Sequence, residues 1–116
     1  MTKAEVRRAR RAALLKEARK LVETRWTQGV MARDEYGDEV DPESDEAASF
    51  CAVGAVYHVA VNRRQGFSLA KWLDRSVRTL YPRDGGIHSV NDSRATNRAV
   101  LRVFDHAIHQ ITGEKP

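Results

Sequence analysis

The chain holds one cysteine, Cys51, three prolines, and no apolar run long enough to cross a bilayer. A lone cysteine excludes an internal disulfide and fits a reducing compartment. The longest apolar stretch, residues 50–61, is interrupted by Tyr57 and His58. It falls short of the roughly 20 residues that a spanning helix needs. The N-terminal residues are rich in arginine and carry no apolar segment of signal-peptide length. Few prolines and glycines, 3 and 7 in 116 residues, leave no room for a flexible linker, and no internal repeat is visible. These absences point to a soluble, cytoplasmic protein with no membrane contact.

What is present is a strong charge partition. The net charge of +4 conceals a local +6 over residues 1–26, −7 over residues 27–46 and +5 over the remainder. Such asymmetry bears on partners and on electrostatic steering more than on fold. Whether the acidic run folds back to cover the basic helix is open at this level.

Hydrophobic spacing predicts helices. Thr2 and Glu5 form a capping box that starts a helix near Lys3. Leu14, Ala18, Leu21 and Val22 make its apolar stripe, which ends near Trp26 with Gly29 as a left-handed cap. Extended backward, that stripe would include Arg7 and Arg11, and burying unpaired charge is costly. Residues 1–13 are therefore expected to form a basic helical arm continuous with the first helix, ahead of a single globular helical domain over 14–113. Residues 30–40, around Asp34-Glu35-Tyr36-Gly37, read as a hairpin. Pro42 or Ser44 opens a helix to about Asn62, burying Ala47, Phe50, Cys51, Val53, Gly54, Tyr57 and Val61. Inside it, Gly54 costs about 1 kcal/mol against alanine, a cost that close approach of another backbone would justify. Residues 63–67 read as a turn and Ser68 as the next N-cap, followed by Leu69, Trp72, Leu73, Val77 and Leu80 up to Tyr81-Pro82. A loop over 83–92 leads to a last helix with Val100, Val103, Phe104, Ala107, Ile108 and Ile111 inward and Gly113 at its end. The fold class expected is mainly α, a compact bundle of about four helices with one small β-hairpin (residues 30–40).

Four cassettes stand out: Trp26 with Gly29, Ala32-Arg33-Asp34 with Gly37, Phe50-Cys51-Ala52-Val53-Gly54-Ala55, and Asn91-Asp92. Over about residues 14–111 they resemble the DUF6197 family of small proteins of unknown function from actinobacteria and their phages. Two departures are Val90, where the family pattern has tryptophan, and the basic segment before Leu14, which looks like an addition. The resemblance implies a fold and a phage or actinobacterial setting; it implies no activity.

Candidate sites were weighed against plain structural roles. Cys51 would be a nucleophile only with a base such as His58 or His88 and an orienting Asn91 or Asp92. A position mid-helix on an apolar face instead makes it a core residue. His106 and His109, three apart beside Asp105, lack a third ligand and read as a solvated face. Trp26 and Trp72 read as core anchors. Asn91 and Asp92 read as caps for the last helix, with a polar contact in a groove as the alternative. Asn91-Asp92-Ser93 matches a glycosylation acceptor by chance, given no secretion signal. The basic residues Lys3, Arg7, Arg8, Arg10, Arg11, Lys16, Arg19 and Lys20 are the main functional candidate. They suit an acidic surface on a host or self protein, including a homodimer. Weak, sequence-independent binding of nucleic acid is the alternative, less favoured because aromatic interleaving is missing and the acidic run repels phosphates. No catalysis, metal or cofactor is expected.

Overall fold

A computed structural model describes residues 1–113. Among these, the elements in order are α1 (Lys3–Thr24), β1 (Ala32–Arg33), β2 (Ser49–Phe50), α2 (Ala52–Val59), α3 (Arg63–Leu80), α4 (Ile87–Ser93) and α5 (Arg98–Thr112). The architecture is mainly α with one small β-element, as the periodicity indicates. The fifth helix, α4, occupies the segment read as a loop.

The capping box starts α1 as expected. Thr2 Oγ1 accepts the Glu5 N–H (3.1 Å), and the Thr2 N–H donates to the Glu5 carboxylate (3.2 Å). The buried stripe is Ala12, Leu15, Ala18 and Val22, with Leu14 and Leu21 half-buried at its edges. This face packs on α5 and on α2. The helix stops at Thr24, where the Arg25 N–H closes on the Leu21 carbonyl (2.7 Å). Gly29 does take a left-handed φ of +85°, but inside the following loop and not as the cap of α1.

The helix expected from Pro42 or Ser44 to Asn62 is cut down to Ala52–Val59. The reason is backbone pairing. The Phe50 N–H donates to the Arg25 carbonyl (2.7 Å), and the Phe50 carbonyl accepts from Thr27 (3.0 Å). Ala48 donates to the Arg33 carbonyl (2.7 Å). Groups committed sideways in a buried ladder cannot also close helical turns. The hairpin over 30–40 is present as a turn at Asp34–Gly37, with Gly37 at φ +89° and a bridge between Arg33 and Glu39. The ladder itself pairs β1 antiparallel with β2, Ala32 opposite Phe50 and Arg33 opposite Ser49.

Residues 63–67 form the first turn of α3 and not a free turn, so Ser68 lies within the helix. Asn62 Oδ1 accepts the Gln65 N–H (2.8 Å) while Gln65 Oε1 accepts the Val61 N–H (2.8 Å), one residue outside a standard capping box. Leu69, Leu73 and Val77 are buried; Trp72 and Leu80 are half-buried. The short α4 has no side-chain cap of its own. Asp74 of α3 supplies one from a distance, accepting the Ile87 N–H (2.9 Å). Asp84 and Arg94 clamp its two ends with a bidentate pair (2.8 and 3.0 Å). In α5 the stripe Val100, Val103, Phe104, Ala107 and Ile111 is buried, and Gly113 ends the helix at φ +76°.

Gly54 sits where α2 meets the β1 approach. A Cβ added there would overlap the backbone carbonyl of Met31, which also accepts the Cys51 N–H (3.1 Å). Backbone locked in a ladder cannot step aside as a flexible side chain can. Gly54→Ala is therefore expected to destabilise the protein by about 3 kcal/mol, read as a clear fall in melting temperature in a calorimetric scan. An unchanged melting temperature would show that α2 and Met31 are not in contact.

Candidate functional site

The four sequence cassettes meet at one point, and its centre is the Asn91 carboxamide. Asn91 is 1% exposed. Its Oδ1 accepts the Trp26 indole N–H (2.9 Å) and the backbone N–H of Ala52 (3.0 Å). Its Nδ2 donates to the Thr27 carbonyl (3.1 Å) and to Asp92 Oδ1 (2.8 Å). Asp92 Oδ1 also accepts the Gly29 N–H (3.1 Å). Gln28 donates to the carbonyls of Asn91 (2.9 Å) and Arg94 (2.7 Å), tying the same loop to the end of α4. Arg33 completes the knot with bonds to Thr27 Oγ1 (2.9 Å), the Gln28 carbonyl (3.0 Å) and the Gly37 carbonyl (3.2 Å).

Asn91 and Asp92 were expected to cap the last helix; they lie inside α4 instead. Asn91 does act as a cap, but for α2, whose first N–H it binds across 39 residues of chain. At the start of α5, Thr96 Oγ1 accepts a long bond from the Arg98 N–H (3.4 Å). Trp26 is half-buried and hydrogen-bonded and not simply an apolar anchor. Trp72, also half-buried, lies under the Arg75 guanidinium at 4.8 Å.

Cys51 is not mid-helix. It is the N-cap residue of α2, and its Sγ accepts the Gly54 N–H (3.2 Å). A helix N-terminus favours thiolate, yet the side chain is 4% exposed. Burial pushes the thiol above its ordinary pKa, outweighing the backbone N–H bonds, and the nearby Asp92 charge acts in the same upward direction. His58 points elsewhere, its ring bonded to the Pro42 carbonyl (2.7 Å) and packed on Phe50. His88 is exposed on α4.

His106 departs from the solvated face expected of it. It is half-buried and shares a hydrogen bond (2.8 Å) with Ser76, a hydroxyl residue 2% exposed on α3. No group of three or more His, Cys, Asp or Glu side chains among the described residues is placed to hold a metal.

The cationic residues divide by position. Lys3, Arg7, Arg8 and Arg10 are exposed, as are Lys16 and Lys20. Arg19 is not free: it binds Asp105 of α5 through two nitrogens (2.7 and 3.3 Å) and Glu23 (3.0 Å). Those carboxylates, Asp105 first, hold its guanidinium pKa above the ordinary value. Arg19 thus fastens α1 to α5. Arg7, Arg10 and Arg11 face Asn62, Arg64, Gln65 and Ser68 across an open groove of about 270 Å³ between α1 and the start of α3. The acidic segment 34–46 is divided between two places, one of them next to the start of α3. Asp34, Glu35, Tyr36, Asp45 and Glu46 surround a cavity of about 600 Å³ beside Arg25, and Asp41 and Glu43 pair with Arg63 (3.4 and 3.1 Å). Among the described residues, no ion pair joins residues 34–46 to the cations of α1.

The family of unknown function DUF6197 matches residues 6–110. The chain belongs to that family. The match begins at Val6, so Arg7, Arg8, Arg10 and Arg11 lie within the family region and are not an addition to it. Neither a curated protein nor a solved structure gives a significant match. At Val90, where the family pattern was read as tryptophan, the side chain is fully buried beside Asn91. No helix among the described residues is long and apolar enough to cross a membrane.

Two outcomes follow from this geometry. Asn91→Ala leaves the Trp26 and Ala52 donors without their acceptor, and a lost buried partner costs about 1–3 kcal/mol for each group. Urea unfolding should therefore show a stability loss of about 3 kcal/mol or more, whereas a loss under 1 kcal/mol would mean that water enters the knot freely. The His106 imidazole is held below its ordinary pKa of 6.5, first by burial and then by His109 and Arg102. The folded state binds this proton more weakly than the unfolded chain, so the contribution is intact above that ordinary value. It is lost as pH falls toward the lower folded-state value. The urea midpoint should drop as pH falls through and below 6.5, and His106→Gln should flatten that drop.

Proposed function

We propose that the protein acts by binding and not by catalysis, using the N-terminal half of α1 as a contact surface for an acidic protein partner. One observation carries this reading. Lys3, Arg7, Arg8 and Arg10 are exposed and make no ion pair among the described residues, although residues 27–46 hold eight carboxylates. Sixteen acidic residues are enough to quench such a patch if folding favoured it. Arginine suits the role, since its planar fork binds carboxylates bidentately and is weakly hydrated.

The other motif residues support a non-catalytic reading by being occupied. Trp26, Gly29, Asn91 and Asp92 bond to one another, and Arg33 is engaged by Thr27, Gln28 and Gly37. No described buried side-chain nitrogen or oxygen is left without a partner. Cys51 would need to lose its burial before it could attack a substrate. The setting that fits is a small accessory protein of an actinobacterium or its phage, working in a reducing cytoplasm.

The nucleic-acid reading competes for the same residues, and charge alone does not separate them. Fluorescence anisotropy with a labelled glutamate- and aspartate-rich peptide and, separately, with a DNA duplex and an RNA strand distinguishes the two. The expected result is peptide binding that weakens at least tenfold between about 20 and 200 mM salt and is lost in Arg7→Glu/Arg10→Glu. Tighter binding of duplex or strand than of peptide would transfer the surface to nucleic acid. Absence of binding to all three at low salt would overturn both.

A further inference from the structure

The groove between α1 and α3 has a specific composition. Arg7, Arg10, Arg11 and Arg64 line it with Asn62, Gln65 and Ser68, and no carboxylate is among its walls. Val61, 77% exposed, adds an apolar spot at its edge. Among the described residues, none of the four arginines has an ion-pair partner. Four guanidinium groups converging on one concavity repel one another unless an anionic group comes between them. The groove therefore suits an acidic segment that also carries an apolar or aromatic side chain.

The same molecule carries such a segment. The turn Asp34-Glu35-Tyr36-Gly37-Asp38-Glu39 places four carboxylates around Tyr36, which is 82% exposed. The turn is rigid. Asp34 Oδ1 accepts the N–H groups of Tyr36 (2.9 Å) and Asp38 (3.0 Å), and Arg33 holds the Gly37 carbonyl. A preorganised turn with an exposed tyrosine loses little entropy on docking, and tyrosine and arginine dominate interface energetics. Its tip, Glu35 and Tyr36, is pinned beside Arg25, about 22 Å along α1 from Arg10, while Glu39 at its base lies near Arg63. The Tyr36 tip cannot reach the groove of its own chain.

We infer that the groove receives the Tyr36 turn of a second copy of this chain. Glu35, Asp38 and Glu39 then face Arg7, Arg10, Arg11 and Arg64, and the Tyr36 ring rests on Val61. Groove and turn are different patches, so each contact joins unlike surfaces, and copies either exchange turns as a two-fold pair or continue into rings or open chains. This inference rests on the binding reading above and narrows its partner to self.

Sedimentation velocity over a concentration series at about 20 mM salt tests it with a charge-swap design. The wild-type chain is expected to show a mass that rises with concentration and falls back to monomer in high salt. Arg7→Glu/Arg10→Glu and Glu35→Lys/Asp38→Lys should each remain monomeric, since two reversals among four charges leave the altered patch with no net charge to attract its counterpart. An equal mixture of the two variants should pair again, because the intact turn of the first meets the intact groove of the second. That recovery also shows that both variants are folded. A wild-type chain monomeric at every concentration, or assembly unaffected by the reversals, would overturn the inference. If the monomer still binds the acidic peptide, only the self-partner is lost; if it binds neither, the binding reading falls too.

Discussion

The fold depends on one carboxamide. Asn91 has two acceptor lone pairs and two N–H donors, and all four are used, by Trp26 and Thr27 after α1, by Ala52 at the start of α2 and by the neighbouring Asp92. An amide buried without partners would cost several kcal/mol, so only an arrangement that brings Trp26, Thr27, Ala52 and Asp92 together is tolerated. The knot thereby sets the position of the loop after α1, the start of α2 and the orientation of α4. Hydrophobic burial supplies most of the driving force but is indifferent to direction. The amide supplies the direction. Gly54 does the same by shape, since the Met31 carbonyl can lie against α2 only where no side chain projects.

The charged groups follow a different logic. A few pairs are structural: Arg19 with Asp105 joins α1 to α5, and Asp84 with Arg94 brackets α4. In the second pair the Arg94 bond, followed by that from Ser89, holds the Asp84 carboxyl below the usual range. The remaining charges are kept apart by the fold. Exposed ion pairs are worth too little to pull the acidic segment across to the basic helix against the ladder and the Arg33 bonds that hold it. The result is a molecule about 44 Å in its longest extent with cations on the N-terminal turns of α1, Asp34, Glu35, Asp45 and Glu46 beside its other end, and Asp41 and Glu43 held by Arg63. Such a separation steers encounters over distances near a Debye length and favours complementary partners in one orientation.

Much of this was legible in the chain. The capping box, the α5 stripe from Val100 to Ile111 and the left-handed Gly113 rest on interactions within a few residues, so sequence spacing reports them directly. The close approach at Gly54 was also foreseeable, because a mid-element glycine needs a reason. The failures share a cause. Phe50 and Ala48 read as helical by their apolar pattern, but their backbone groups pair with Arg25, Thr27 and Arg33. The start of α4 depends on Asp74, a cap from another helix. Asn91 was recognised as a capping residue and assigned to the neighbouring helix, when its acceptor serves α2. Residues 63–67 were misread because Gly66 suggested a turn; in α3 its missing side chain makes room for the Tyr57 ring.

The sequence by itself determined the class of fold, the helical stripes, the inertness of a lone cysteine toward disulfide formation and the division of charge along the chain. These follow from residue type and from contacts no longer than one or two helical turns. Only the tertiary structure decided which helix each polar side chain caps, that Cys51 begins α2 within a buried site, and that Arg19 is engaged while Arg7, Arg10, Arg11 and Arg64 converge on a groove. Each of these depends on groups far apart in sequence, whose meeting is set by packing and by the need to pair every buried polar atom.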